Sequence, residues 1–482
     1  MTTRFGVHMG NTTVCLSILK DNKADIVASK FGDRSSYAVV AAAENDELVI
    51  GLPAKQGLVR QSPLTIVNNF QFLNEDLTSD EFIEAKKECV CEISNDPITY
   101  TLRKEEIERT LTPFEVAVVL LTNLYENASQ AAKSETSLEA VIAVPIHFSA
   151  KSRKTIINAA KEAGFVALQM LSEPSACLLA YDIGLDLKEK SNVLVVRIGG
   201  LSSDFSLLNV KNGFYQEIGH KRLATFGGNV LSKVLCDFMA DEFRNKYKLD
   251  PRESRRTMMK LLHHAENCKH ILSSMNSAQV FIESLMDGTD WSQSISRARF
   301  ENVISTQVSN FLRSIEELVA EHSDTVVDKI IFCGGSLKIP KLQSAISNLF
   351  PNAQTLSSIP PDEVIALGCA KQASFIGNCW DTEGEHIDMD ILTLSSDIII
   401  YPNDDQDNTI VFEKGTPLPN ERKFFAKYVD GKVKISVKQN DQINILEECS
   451  SSADDLDCMV RAKLQLGGEN NLSFVFSAVE KV

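Results

Sequence analysis

Two stretches of the chain repeat one pattern, 189 positions apart (197 minus 8). With His8 set over Arg197, VHMGNTTVCLSIL aligns with VRIGGLSSDFSLL. Each copy is an apolar strand, a glycine turn carrying Ser, Thr or Asn, and a second apolar strand. The offset is about half of the region that alternates strand-like and helix-like segments. Two copies suggest a duplicated fold whose two turns face one site. Backbone N–H groups in such turns form an anion nest suited to phosphate. Taken alone the pattern also fits unrelated hairpin turns, which are often glycine-rich.

The rest of the first 380 residues fits a mixed α/β architecture. TPFEVAVVLLTNLYENASQAAK predicts a helix, with Thr112 as N-cap, Pro113 at the first position and Glu115 completing a capping box. EAVIAVPIHF predicts a buried strand, and KSRKTIINAAKEAG a helix that stops at Gly164. FSLLNVKNGFYQEI predicts a hairpin turning at Asn212-Gly213. GGNVLSKVLCDFMADEFRNKY, SRARFENVISTQVSNFLRSIEELVAEH and PKLQSAISNLF each predict one helix. EGEHIDMDILTLSS then reads as an acidic linker. DIIIYP, TIVFEKG, KFFAKYVDGKVKISV, MVRAKLQLGG and NLSFVFSAV are short alternating runs, separated by turns such as Asp430-Gly431. They predict a small antiparallel β domain. The expected organisation is residues 1–380 as a two-lobed domain (lobes about 1–190 and 191–380), 381–396 as linker, and 397–482 as the β domain.

A net charge of −16 argues against direct nucleic-acid binding, which relies on Lys and Arg to neutralise phosphates. No run of about 18 apolar residues predicts a membrane span. The start lacks an apolar signal core. The 11 cysteines contain no C-x-x-C pair, so reduced thiols and a cytosolic location are expected. His263, His264 and His270 lie on one predicted helix, but adjacent histidines point different ways, and no metal site is expected.

Further segments, in order, resemble the 70-kDa heat-shock protein family. They are LSEPSACLLAY (171–181), FGGN (226–229), AENCKHILSS (265–274), CGGSLKIPKLQ (333–343) and IPPDEVIALGCA (359–370). KGTPLPNERKFFAKYVDGKVKISV resembles the start of the family's β-sandwich peptide-binding domain. The resemblance covers nearly the whole chain and is nearest to a short, ribosome-associated member. It implies an actin-like two-lobed ATPase fold followed by a truncated all-β domain without a helical lid.

The resemblance also implies an ATP site. Gly10, Asn11, Thr12 and Thr13 form the first phosphate turn. Gly199, Gly200 and Ser202 form the second, with Leu201 where a third glycine is usual. Gly227 and Gly228 lie near the sugar and phosphates. Glu266, Lys269 and Ser273, on one helix face, hold ribose and adenine. Gly334, Gly335, Ser336, Lys338 and Asp362 close the adenine pocket. Lys338 and His270 replace arginines, which weakens stacking on a purine.

The catalytic positions depart from the family. Its magnesium-shell aspartates are His8 and Arg197 here, and its water-positioning lysine is Phe70. No Asp or Glu lies between Arg4 and Lys20, and no Lys between Lys55 and Lys86. Glu173 and Asp204 are the retained acidic positions. Arg197 either faces phosphate or pairs with Glu173 or Asp204, and His8 is either a core histidine or part of the site. Loss of several positioning groups predicts weak or absent hydrolysis.

The expectation is therefore a chaperone component for nascent polypeptides that binds ATP without the usual magnesium site. The resemblance implies a zuotin-type J-domain co-chaperone that supplies the ribosome contact. A conventional ATP-hydrolysing chaperone, a kinase on the same fold and a nucleotide-free scaffold are the alternatives.

Overall fold

A computed structural model of the chain describes residues 3–20, 23–43, 47–104, 107–132, 137–185, 190–211, 214–379, 398–402, 410–412, 420–427, 432–439, 442–450, 457–464 and 472–478. The expected linker 381–396 and the turns at Asn212-Gly213 and Asp430-Gly431 lie outside the described residues. The chain divides into two compact units. One comprises residues 1–183, 191–208 and 218–385, and the other 184–190, 209–217 and 386–482.

The repeat is realised as two sheets of one plan. In the first, Thr3–Met9 pairs antiparallel with Thr13–Lys20 and parallel with Leu138–Val144, which is followed by Val166–Ser172. Lys23–Ile26 closes the other edge. In the second, Lys190–Ile198 lies between Ser203–Lys211 and the parallel strand Lys329–Cys333. Phe214–Leu223 and Gln354–Leu356 form its edges. His8 and Arg197 thus occupy equivalent places, each near the end of the first strand of its copy.

Helices cover these sheets for the local reasons anticipated. Thr112 caps Pro113–Ala132: its N–H donates to Glu115 Oε2 at 2.7 Å, and the Glu115 N–H donates to Thr112 Oγ1 at 3.2 Å. Ala150–Glu162 ends before Gly164, whose φ of +104° suits glycine. The segment expected as one helix over 296–322 is two, Arg297–Val303 and Ser305–Glu321. Ser305 Oγ donates to the Asn302 carbonyl at 2.7 Å, competing with the regular ladder at the break. Ser277–Met286 and Thr289–Ser296 form a hairpin absent from the sequence reading. Its Trp291 is buried in the second lobe's core.

The helix Val364–Cys379 packs on the first sheet and crosses Glu173–Ala180. Glycines permit both approaches. A Cβ on Gly6 would lie 2.3 Å from the Ala370 nitrogen, and one on Gly368 would lie 1.8 Å from the Ala176 carbonyl oxygen.

The smaller unit is all-β where described. Ile410–Phe412, Ile398–Pro402, Lys432–Gln439 and Gln442–Ser450 form one sheet, and Asn420–Lys427, Asp457–Leu464 and Leu472–Ala478 another. Asn420–Lys427 and Lys432–Gln439 are consecutive in the chain but belong to different sheets. Both sheets contribute to one core, including Ile400, Phe412, Val433, Ile435, Val460 and Ala462.

Candidate functional site

The two glycine turns close in the same way. Gly10 N–H donates to the Thr13 carbonyl at 2.8 Å, and Gly199 N–H to the Ser202 carbonyl at 3.0 Å. The turns touch: a Cβ on Gly200 would lie 2.2 Å from Thr12 Cγ2. Asn11 Oδ1 accepts from the Gln71 N–H at 2.8 Å. The Gly227–Gly228 turn packs on the second turn, with Gly228 N–H donating to the Gly199 carbonyl at 2.9 Å. Ser336 Oγ donates to that same carbonyl at 2.9 Å. Gly334, at φ +93°, docks its N–H on the Pro361 carbonyl at 2.7 Å.

Residues implied for ribose and adenine surround these turns, each with a partner of its own. Lys269 is buried and donates to the Gly228 carbonyl at 2.9 Å. Burial lowers its pKa to about 8. Ser273 Oγ bonds the Lys269 carbonyl at 3.0 Å. Glu266 pairs with Lys55 of the first lobe at 2.7 Å, and Lys338 with Asp362 at 2.6 Å. Gly335 differs, because a Cβ there would meet nothing within 4 Å.

Beside the turns lies a closed set of charges. Glu173 is the first residue of its helix, after the N-cap Ser172. Arg197 Nε donates to Glu173 Oε2 at 2.6 Å, and His8 Nε2 lies 3.1 Å from Glu173 Oε1. Arg197 Nη2 is 3.4 Å from Asp204 Oδ2, and His220 Nε2 is 3.6 Å from Asp204 Oδ1. His147 Nδ1 approaches Asp204 Oδ1 at 4.0 Å. Burial works against both carboxylates, yet Arg197 overrides it. Glu173 is held below its ordinary value, and Asp204 at about 2. Burial lowers His147 to about 4, with Arg222 adding to the effect.

Of the two partners left open for Arg197, the carboxylates hold it, while its side chain also lines a cavity of about 350 Å³. His8 joins the site rather than the core. Phe70 is buried, stacks on Phe148 with ring centroids 5.2 Å apart, and lines the same cavity. His147, His220, Arg222, Lys55 and the Lys233–Glu88 pair are additions that sequence reasoning missed. His147 was counted in a strand, but that strand ends at Val144. Only the repeat offered a signal here, and none of these residues belongs to it.

The residues fit a polyphosphate better than a divalent metal. Asn11 and Ser202, from the two turns, line the cavity with Gln71 and Arg222. Buried Gln71 Nε2 and Arg222 Nε make no hydrogen bond there, so donors stand ready for oxygen. A magnesium ion needs carboxylate oxygen; Arg197 ion-pairs with both Glu173 and Asp204, while the buried Asp204 oxygens accept no hydrogen bond.

The Hsp70 protein family model matches residues 4–452. The chain is 39% identical over 429 residues to heat shock 70 kDa protein 14-A of Xenopus laevis, covering 86% of this chain and 83% of that protein. It is 37% identical over 426 residues to heat shock 70 kDa protein 14 of Mus musculus and to that of Homo sapiens, with the same shares covered.

Proposed function

The chain belongs to the Hsp70 protein family, and from that premise we propose that it holds ATP between its glycine turns without magnesium-dependent hydrolysis. It is an Hsp70-type chaperone, and that family binds nucleotide, unfolded polypeptide and J-domain co-chaperones. In this reading it assists nascent chains in the cytosol beside a zuotin-type J-domain partner. The observation that carries it is Arg197 seated between Glu173 and Asp204.

Each residue has a stated part. The N–H groups of the first two turns would face the phosphates. Glu266, Lys269 and Ser273 would hold the nucleoside, and Gly335 leaves room beside the base. ATP, when bound, supplies a polyanion whose charge Arg222 would offset in part, Arg197 being engaged by Glu173 and Asp204. Phe70 offers no hydrogen bond to a water, so none is oriented for attack. The net charge of −16 disfavours ribosomal RNA, so a basic partner makes the ribosome contact.

A single-turnover assay with labelled ATP tests the site, following bound label and released phosphate in one sample. Retention without cleavage is expected, and phosphate release at an ordinary family rate would refute the reading. Co-migration with ribosomes should vanish when the J-domain partner is removed. The internal pairs of Lys55, Lys269 and Lys338 favour one other reading, a nucleotide-free scaffold. It predicts no ATP-dependent rise in melting temperature.

A further inference from the structure

Three side chains, drawn from both lobes, converge on the cavity of about 350 Å³. Gln71 lies on the short turn Asn69–Leu73, His147 follows the strand Leu138–Val144, and Arg222 is the penultimate residue of the strand Phe214–Leu223. Gln71 Nε2, Arg222 Nε and both ring nitrogens of His147 are buried, and none makes a hydrogen bond. Buried polar groups are normally paired, so orphans gathered around one space mark the seat of a polar ligand. The space is many times the roughly 30 Å³ that a water occupies in the liquid, enough for a phosphoryl group with water beside it.

The three are held in place before a ligand arrives. The Gln71 N–H donates to Asn11 Oδ1 at 2.8 Å, which ties its turn to the first glycine turn. The His147 ring stands edge-on to Phe148, with centroids 5.1 Å apart, and Phe148 stacks on Phe70. Asp204 Oδ1 lies 4.0 Å from His147 Nδ1, beyond hydrogen-bond reach. Burial first, and then Arg222, keep His147 neutral at ordinary pH, with one N–H to donate.

The cavity lies at the phosphate end of the proposed nucleotide site. Asn11 and Ser202 of the two glycine turns line it, whereas among the described residues none assigned to ribose or adenine does. Its outer rim is acidic, because Asp80, Glu81 and Glu84 line it and are exposed. Free phosphate entering from solvent meets like charge there. A phosphoryl group carried by a nucleotide arrives from the side of the turns instead.

Resting on the nucleotide reading above, we propose that Gln71, His147 and Arg222 seat the terminal phosphoryl group of a bound nucleoside triphosphate, so that the site favours ATP over ADP. Arg222 supplies the charge from the second lobe, and Gln71 and His147 supply hydrogen bonds from the first. A diphosphate ends at the glycine turns and leaves all three side chains unsatisfied.

Calorimetric titration of the full chain with ATP, ADP and inorganic phosphate tests this, in the wild type and in Arg222→Gln, Gln71→Leu and His147→Phe. The wild type should bind ATP about ten-fold more tightly than ADP, or better, as expected for hydrogen bonds to a charged group. Arg222→Gln and Gln71→Leu should each weaken ATP by about ten-fold, and His147→Phe should act in the same direction. Their ADP affinity should be unchanged, which also shows that the site is still folded. Equal losses for ATP and ADP across the variants, or unchanged ATP affinity, overturn the proposal and leave the nucleotide reading standing. A wild type that binds neither nucleotide overturns both. Inorganic phosphate alone should not bind. Phosphate binding that Arg222→Gln abolishes, with ATP affinity unaffected, makes this a seat for the free ion and overturns the assignment.

Discussion

Arg197 Nε sits 2.6 Å from Glu173 Oε2, joining the strand of the second glycine turn to the helix between the lobes. The contact places a fixed cation inside a buried acidic site. Such a pair is costly to bury and costlier to break. The site is therefore held by its own charges.

Removing that cation should unfold the protein more easily. Arg197→Ala leaves Glu173 and Asp204 buried and uncompensated. The expected loss is about 3–5 kcal/mol in urea denaturation. Arg197→Lys should lose less, because it keeps the charge while giving up the planar fork.

Acid should weaken the fold in two stages. His147 is held at about 4, below its ordinary 6.5, so protonation favours the unfolded chain, and stability falls as pH drops from about 6.5 through 4. Asp204 is held at about 2, below its ordinary 3.8, and Glu173 is shifted the same way. Their contribution is complete above about pH 5 and is lost as pH falls towards 2. Melting temperature measured against pH should show both limbs, and His147→Phe should shrink only the upper one, to which His270, also lowered to about 4, and the lowered His263 and His264 contribute as well.

Two glycine substitutions should separate packing from ligand space. Gly368→Ala drives a Cβ into the Ala176 backbone and should cost about 3 kcal/mol or more. Gly335→Ala meets nothing and should leave the melting temperature of the free protein unchanged. The same change should shrink the thermal shift produced by ATP, read by calorimetry with and without nucleotide.

Restoring the missing chemistry should require all three positions. The triple variant His8→Asp, Phe70→Lys, Arg197→Asp should release phosphate in a magnesium-dependent way. Phe70→Lys alone should not, since it buries an amine against Phe148 while Arg197 still holds both carboxylates. Phosphate release with and without magnesium measures the difference.

The repeat made His8 and Arg197 legible, because identical local patterns carry them. The capping box at Thr112 was legible for the same reason: its partners are three residues apart. His147, His220 and Arg222 meet the site only through long-range folding, and their local sequence has no period that marks them. The hairpin at 277–296 escaped notice partly because Phe281 is 57% exposed and breaks the expected alternation. The split of the smaller unit into two sheets was hidden too: several consecutive strands pair as hairpins, but Asn420–Lys427 and Lys432–Gln439, also neighbours in the chain, fall in different sheets.

The return of Val364–Cys379 to the first sheet also bears on how the protein is made. Thr3–Met9 leaves the ribosome early, yet the helix seated against it at Gly6 is among the last parts of that unit to be translated. The first lobe must wait, partly uncovered, for more than three hundred further residues to emerge. Vectorial, lobe-by-lobe folding is closed to this chain. During synthesis the protein itself exposes the sheet surface that Val364–Cys379 later covers.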